Sequence, residues 1–549
     1  MAATAPQPNG FLGHPRGLMT LFFTEMWERF SYYGMRAFLV LYIVAPKDRG
    51  GLGESAATAG IIYAMYGSLV YLMSLPGGWV ADRYLGQRKA VLIGGVVIML
   101  GHITLALPGE ASFLPGLGII ILGTGLLKPN VSTIVGQLYD KRDIRRDAGY
   151  TIFYMGINLG AAVAPFICGY LANTDAFRHH LADWGLDPNS AWHFGFGAAA
   201  IGMAFGVIQF WIGSRKMGDA GLHPTKPEAG STFTIPPFAL KVILAVIALI
   251  VAFAAWRIGG AGASKKTVAD SFGFGLALTA IGLFWIMHRE VARNDDERRR
   301  VRAMGVLFFG CLSFFGIFEQ AGSTINLFTD HYVKPTLFFV DFDTTWYQSI
   351  NAGWIMILAP IFAAMWIALA KARKEPDPVT KFALGVLLAG LAFVVLLPTV
   401  GDIAADAKIS GYWFVGFYFV STLGELCLSP VGLSVMNKLA PDRLAGFVMG
   451  IWFLAISIGL YIAGRAGEEV GNLANRLELG APVTLVEQAK DGAITISTTY
   501  PAGMFYLLIM FTVVVSASLF AMAGPVKRML AASQPADLPV ATVVPKLPD

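Results

Sequence analysis

The first apolar run of this chain contains residues that could do chemistry lipid does not permit. Glu25, Glu28, Arg29, Tyr32, Tyr33 and Arg36 all fall within EMWERFSYYGMR, residues 25–36. Their spacing of i, i+3, i+4, i+7, i+8 and i+11 makes one continuous stripe on a helix. A charge at the bilayer centre costs roughly 2.5–3.5 kcal/mol on insertion scales, so four unpaired ones would keep the segment out of the membrane. The stripe must therefore face protein or a water-filled cavity. Glu25 and Arg29 form an i, i+4 pair in the favourable order, and a buried structural salt bridge is the plainer reading. The sharper reading is an ion or substrate path, which intramembrane charges commonly mark.

The anomaly recurs in other apolar runs. Lys128 sits in GTGLLKPNVS, where the following proline frees backbone carbonyls. Glu319 sits in GIFEQAGSTINLF, and Glu425 in STLGELCLSPVGLS, again ahead of a proline. The first half thus offers Arg36 and Lys128, the second Glu319 and Glu425. If the halves face each other, one wall of the cavity is basic and the other acidic, which suits a zwitterion. Asn158 and Asn351 read equally as glue between helices. Tyr71 and Trp452 read equally as packing aromatics or interface anchors. His102 reads as a satisfied helix–helix contact. His179, His180 and His193 have no further ligand at metal-binding spacing, so no metal site is expected.

The elements that position these residues are membrane spans. The 549 residues are 55% hydrophobic and only 14% charged, with a mean hydropathy of +0.60. Apolar runs of about 20 residues recur along the chain, enough to cross a bilayer core. Fourteen spans are expected: 17–44, 57–81, 90–108, 115–138, 148–171, 193–213, then 238–257 and 270–288, then 302–329, 346–370, 381–399, 411–438, 443–464 and 502–524. The middle pair is flanked by HPTKPEAGSTFTIPP and IGGAGASKK and reads as an insertion between two six-span halves. The expected organisation is a tail at 1–16, a first bundle at 17–213, a linker with two inserted helices at 214–301, a second bundle at 302–524 and a tail at 525–549. The basic loops DRYLGQRK, KRDIRR and KARKEPDPVTK fall on one side, so both termini are expected in the cytoplasm. The loop at 465–501 carries an Asp491-Gly492 turn between alternating runs, which predicts a hairpin. The formal charge of +5 is spread over short loops and is no nucleic-acid signal. The cysteines at 168, 311 and 427 lie in apolar runs and read as inert packing thiols. Residues 1–17 show no signal peptide, and the first span is expected to be retained.

A family resemblance adds to this reading. Glu25-Met26-Trp27-Glu28-Arg29-Phe30-Ser31-Tyr32-Tyr33-Gly34 resembles the ExxERFxYYG signature of the proton-dependent oligopeptide transporter family, within the major facilitator superfamily. FYMGINLGA at 153–161 resembles that family's second signature. GGWVADRYLGQRK at 77–89 is similar to the loop motif of the wider superfamily, and the inserted span pair resembles the bacterial branch. The resemblance implies an all-α polytopic membrane protein of major facilitator fold, with two six-helix bundles plus two inserted helices. It implies an inner-membrane symporter that imports di- and tripeptides with protons by alternating access, working as a monomer with the proton gradient in place of a cofactor. It assigns proton coupling to Glu25, Glu28, Arg29, Glu319 and Glu425. It places Tyr33, Arg36, Tyr71, Lys128, Asn158, Glu319, Asn351, Glu425 and Trp452 around the peptide. It pairs Lys128 with Glu425 as a gate and gives Asp82 and Arg83 to a brace on the basic-loop side. Two positions depart from the pattern. Position 64 is alanine where animal members carry histidine, and position 315 is phenylalanine where some bacterial members carry tryptophan. Coupling is therefore expected to rest on carboxylates.

Other functions find less support in the sequence. HExxH, GxSxG and GxxxxGK[ST] are absent, as is a GxGxxG in strand–turn–helix context, which argues against a membrane enzyme and an ATP-driven pump. A channel would need a re-entrant filter or an oligomeric pore. A same-family carrier of nitrate or another small anion would need the basic wall but not the acidic one. An exporter remains compatible with the fold.

Overall fold

In the computed structural model, residues 10, 13–140, 143, 145–224, 264–405, 407–440, 445–480, 483–488 and 494–531 are described. The first half contains α1 (Gly17–Val44), α2 (Ala56–Leu72) with its continuation α3 (Ser74–Val80), α4 (Gln87–Ala106), α5 (Phe113–Gln137), α6 (Arg145–Asn173), the short α7 (Asp175–Asp183) and α8 (Ala191–Gly213). The inserted helix α9 (Lys265–Ile286) follows. The second half contains α10 (Asp295–Phe318), α11 (Thr324–Tyr332), α12 (Tyr347–Lys371), α13 (Pro378–Val394), the short α14 (Val400–Ala404), α15 (Tyr412–Leu439), α16 (Ala445–Arg476) and α17 (Pro501–Ala531).

Twelve helical stretches among the described residues are long and apolar enough to cross a membrane. α1, with four charges in its 28 residues, is a thirteenth long helix. The expected span at 238–257 and the tail from 532 onward lie outside the described residues. Each half has its own core, built around Phe38 and Phe196 in the first and Phe314, Phe382, Phe393, Phe414 and Phe505 in the second. α1 lies between α6 and α8. The second signature owes its glycines to this contact, because a side chain at Gly160 would collide with the Met26 carbonyl of α1.

The last part of the second half departs from expectation. α16 continues to Arg476, well past the expected end of its span. Arg465 explains the extension. It is buried and pairs with Glu468 at 2.7 Å and Glu469 at 2.9 Å one turn on, and with Asp270 of α9 at 3.1 Å. Lys266 adds a 2.8 Å pair with Glu469. Tyr461 donates to the Ala269 carbonyl at 2.7 Å. α9 is thereby fixed to α16, and Lys265 reaches Glu54, ahead of α2, at 2.7 Å. Beyond α16, strands β1 (Val483–Gln488) and β2 (Ile494–Thr499) pair antiparallel as a hairpin. Its turn lies outside the described residues.

The halves meet most closely along α2 and α16. A Cβ on Gly60 would stand 2.5 Å from the Gly464 carbonyl oxygen, so the backbones touch there. The Ser68 and Ser457 hydroxyls bond at 2.7 Å further along. Ala64 is fully buried beside Gly464, and an imidazole would not fit in this arrangement. Gly60→Val is expected to hold this seam apart. Spin labels at exposed Asp48 and Leu477 would then stand further apart than in the parent, whereas an unchanged distance would show that the seam tolerates a side chain.

Candidate functional site

The charged stripe of α1 is buried, as its cost in lipid requires. No more than 8% of Glu25, Glu28, Arg29, Arg36, Lys128 or Glu319 is exposed. Arg29 Nε donates to Glu25 Oε1 at 2.8 Å and lies 3.2 Å from Glu28 Oε2. Among the described residues, the second oxygen of Glu25 and Glu28 Oε2 have no hydrogen-bond partner. Lys128 of α5 belongs to the same electrostatic neighbourhood, with Arg29, Glu28, Glu25 and Glu319 around it. Its ammonium sits 3.3 Å from the centre of the Tyr71 ring and makes no hydrogen bond. Two carboxylates and two cations thus share a buried site in which several polar atoms have no protein partner among the described residues. A cluster of this kind can change its proton count without losing a bond.

Two turns further along α1, Arg36 crosses to the other half. Its Nη2 meets Glu319 Oε2 at 2.5 Å, and its Nε donates to the Tyr63 hydroxyl at 2.9 Å. Tyr63 in turn donates to Glu319 Oε2 at 3.2 Å, and the Tyr33 ring lies 5.5 Å from the guanidinium carbon. Glu319 can reach Arg36 because the helix breaks there. α10 ends at Phe318, residues Glu319–Gly322 form a 3-10 turn, and α11 restarts at Thr324. A broken helix at mid-membrane is acceptable where it lines a site and its freed groups find partners.

Glu425 of α15 accepts from Asn351 Nδ2 at 3.1 Å, and Asn351 also donates to Thr422 Oγ1 at 2.9 Å. The structure therefore brings Arg36 and Glu319 together and leaves Lys128 and Glu425 apart. The expected Lys128–Glu425 gate is not formed in this conformation: each group has other company. The two walls are also less separate than the sequence suggests, since Arg36 and Glu319 already neutralise each other.

Other expected residues take varied positions. Asn158 donates to the Tyr154 carbonyl of its own helix at 3.0 Å. Trp452 is 3% exposed and packs its ring in the second core, on Phe382 and over Gly432. That is the packing role weighed for it, and not an exposed cavity wall. Asp82 and Arg83 are exposed on a turn at Ala81–Leu85, where Asp82 accepts from Gln87 at 2.7 Å. His102 is fully buried with neither ring nitrogen bonded, so the satisfied contact expected for it is not made.

Several polar bonds between the halves were not foreseen. Asn326 donates to the Ala37 carbonyl at 2.8 Å, Gln348 to the same carbonyl at 3.3 Å, and Asn173 to Asp343 at 2.9 Å. Their only sequence signal is a polar residue at or near the end of an apolar run. With Ser68–Ser457 and Arg36–Glu319, these bonds gather from mid-depth to the side away from the basic loops. The conformation is sealed on that side.

Two facing helical bundles with a buried ionic site between them define a polytopic membrane transporter. A model of the POT family matches residues 88–471. The uncharacterized transporter YclF of Bacillus subtilis (strain 168) is 41% identical over 468 residues, covering 84% of this chain and 90% of its own. A di-/tripeptide transporter of Lactococcus lactis subsp. cremoris is 40% identical over 459 residues, covering 81% of this chain and 88% of its own. A solved structure of a mutant of the peptide transporter POT in complex with alafosfalin is 36% identical, with a TM-score of 0.78 over 96% of this chain and 98% of that one. The chain belongs to the POT family, and its fold is the all-α polytopic one of the major facilitator superfamily.

Proposed function

We propose that the protein is a proton-coupled symporter that imports di- and tripeptides by alternating access, from the inner membrane, with both termini cytoplasmic. The observation that carries this reading is the pair of opposed charges on the two halves: Arg36 and Lys128 on one, Glu319 and Glu425 on the other. A peptide presents a carboxylate and an ammonium a few ångströms apart, and each finds its complement across the gap. The sealed side is then the outer one, because the basic loops mark the cytoplasm.

Arg36–Glu319 is the switch in this scheme. Protonating Glu319, or offering Arg36 a peptide carboxylate, removes the attraction that joins the halves at mid-depth. Lys128 supplies the link to the proton. While it stays by Tyr71 it compensates Glu25 and Glu28. When it turns towards Glu425 to close the inner side, the cluster loses a cation and takes up a proton in its place. Tyr33, Tyr71, Asn158 and Asn351 contribute to the peptide site, and the protein needs neither cofactor nor second subunit. Glu25→Gln is accordingly expected to leave peptide affinity within roughly threefold, under about 0.7 kcal/mol, while removing the response to a pH gradient. Loss of binding and expression together would identify the Glu25–Arg29 pair as a structural bridge.

The direct test is uptake of labelled dialanine into liposomes with an imposed inward proton gradient, with nitrate and a free amino acid as comparators. Gradient-dependent dialanine accumulation, competed by di- and tripeptides, is expected. Nitrate uptake without dialanine uptake would give the protein to the anion carriers, and uptake of neither by folded protein would point to export.

A further inference from the structure

The face of α1 opposite the charged stripe, together with α8, forms a groove of about 460 Å³ near the basic-loop end, lined by Thr20, Trp27, Phe205, Gln209, Ile212 and Lys216. Its polar groups are already satisfied. Thr24 Oγ1 donates to the Thr20 carbonyl at 2.7 Å and lies 3.1 Å from Gln209 Oε1, and Gln209 Nε2 donates to the Thr20 carbonyl at 3.2 Å. A floor whose polar groups are already paired needs no water and accepts a hydrocarbon chain. The deep end is closed by Trp27 and Phe205, with ring centres 5.3 Å apart, and Phe205, Ile208 and Ile212 are exposed along the wall.

The mouth is different in kind. The turn Ser214–Met217 ends α8 and carries exposed Arg215 and Lys216. Gly17 packs on Met217, which brings exposed Arg16, one residue earlier, to the same turn. Among the described residues no ion pair is recorded for any of these cations. Asp219, two residues beyond the turn, acts on Arg88. An apolar slot that opens on a group of uncompensated cations at headgroup depth matches a lipid with a negative head.

We propose that this groove is a binding site for one anionic phospholipid, its acyl chain between α1 and α8 and its phosphate against Arg215, Lys216 and Arg16. The site does not depend on what the protein carries. It bears on transport because the lipid would seat directly against the helix that holds Glu25, Glu28 and Arg29.

Native mass spectrometry of the full chain in detergent, titrated with phosphatidylglycerol and with phosphatidylcholine of the same chains, tests it. The first phosphatidylglycerol is expected to bind roughly tenfold more tightly, as a few cations near a phosphate allow. The double variant Arg215→Ala/Lys216→Ala should bind both lipids alike. Ile212→Trp, which fills the slot and keeps the cations, should lose the tight phosphatidylglycerol step. Glycerol phosphate should not compete, which separates a lipid site from a plain phosphate site. Equal affinities in the parent, an unchanged preference in the double variant, or full competition by glycerol phosphate would each overturn the proposal.

Discussion

Replacing Lys128 with methionine is expected to cut proton-driven dialanine uptake by roughly 10- to 100-fold without lowering the thermal midpoint of the purified protein. A charged hydrogen bond made on closing is worth about 1.5–3 kcal/mol, which converts to a loss of that size. The stability side follows from the resting geometry. The ammonium is buried, 3.3 Å from the Tyr71 ring centre, and has no hydrogen bond to lose. Removing it forfeits a cation–π contact of about 0.5–2 kcal/mol and relieves a buried unmet donor that costs about 1–3 kcal/mol. These nearly cancel, with the Glu25–Glu28 cluster taking up a proton in place of the lost cation as proposed for the closing step. Uptake in liposomes and a melting curve in detergent check both halves. Normal concentrative uptake would show that Lys128 is a packing residue, and a large fall in melting temperature would show that it holds the fold.

Glu319→Gln is expected to unseal the side away from the basic loops. Removing one charge of a buried, hydrogen-bonded pair costs about 2–5 kcal/mol, and here that pair spans the two halves at 2.5 Å. The sealed population should fall by at least roughly tenfold. Spin labels at exposed Asp48 and Leu477, on the two halves, would report a longer distance in the variant. A distance unchanged in the variant would mean that the other bonds between the halves seal the structure without this pair.

Most of the architecture can be read from the residues, because lipid imposes a simple rule on the backbone. Helix positions, the two halves and the β1–β2 hairpin all follow from apolar length and turn residues. The buried charges are legible for the same reason: Glu25, Arg36, Lys128, Glu319 and Glu425 stand out where charge is costly. Their partners are less legible. That Arg36 takes Glu319 while Lys128 stays on Tyr71 depends on which side of the molecule is sealed, and a single sequence encodes every state of the cycle at once. The length of α16 was hidden because Arg465, Glu468 and Glu469 look like loop residues until Asp270 and Lys266 of α9 are placed beside them. Trp452 shows the reverse case, where the family resemblance implies a wall and packing puts the ring in the core.

The seam of α2 and α16 has a consequence for how changes in this protein would come to notice. If the halves part there when the sealed side opens, as the proposed alternating access requires, a bulky residue at the Gly60–Gly464 contact has room in the opposite state. Such a variant would be made, inserted and melt normally, yet stay idle. Screens that score abundance or thermal tolerance would pass it, and only a measurement of turnover would find it. Residues of this kind are constrained by movement, and a census of stable variants would count them as free to vary.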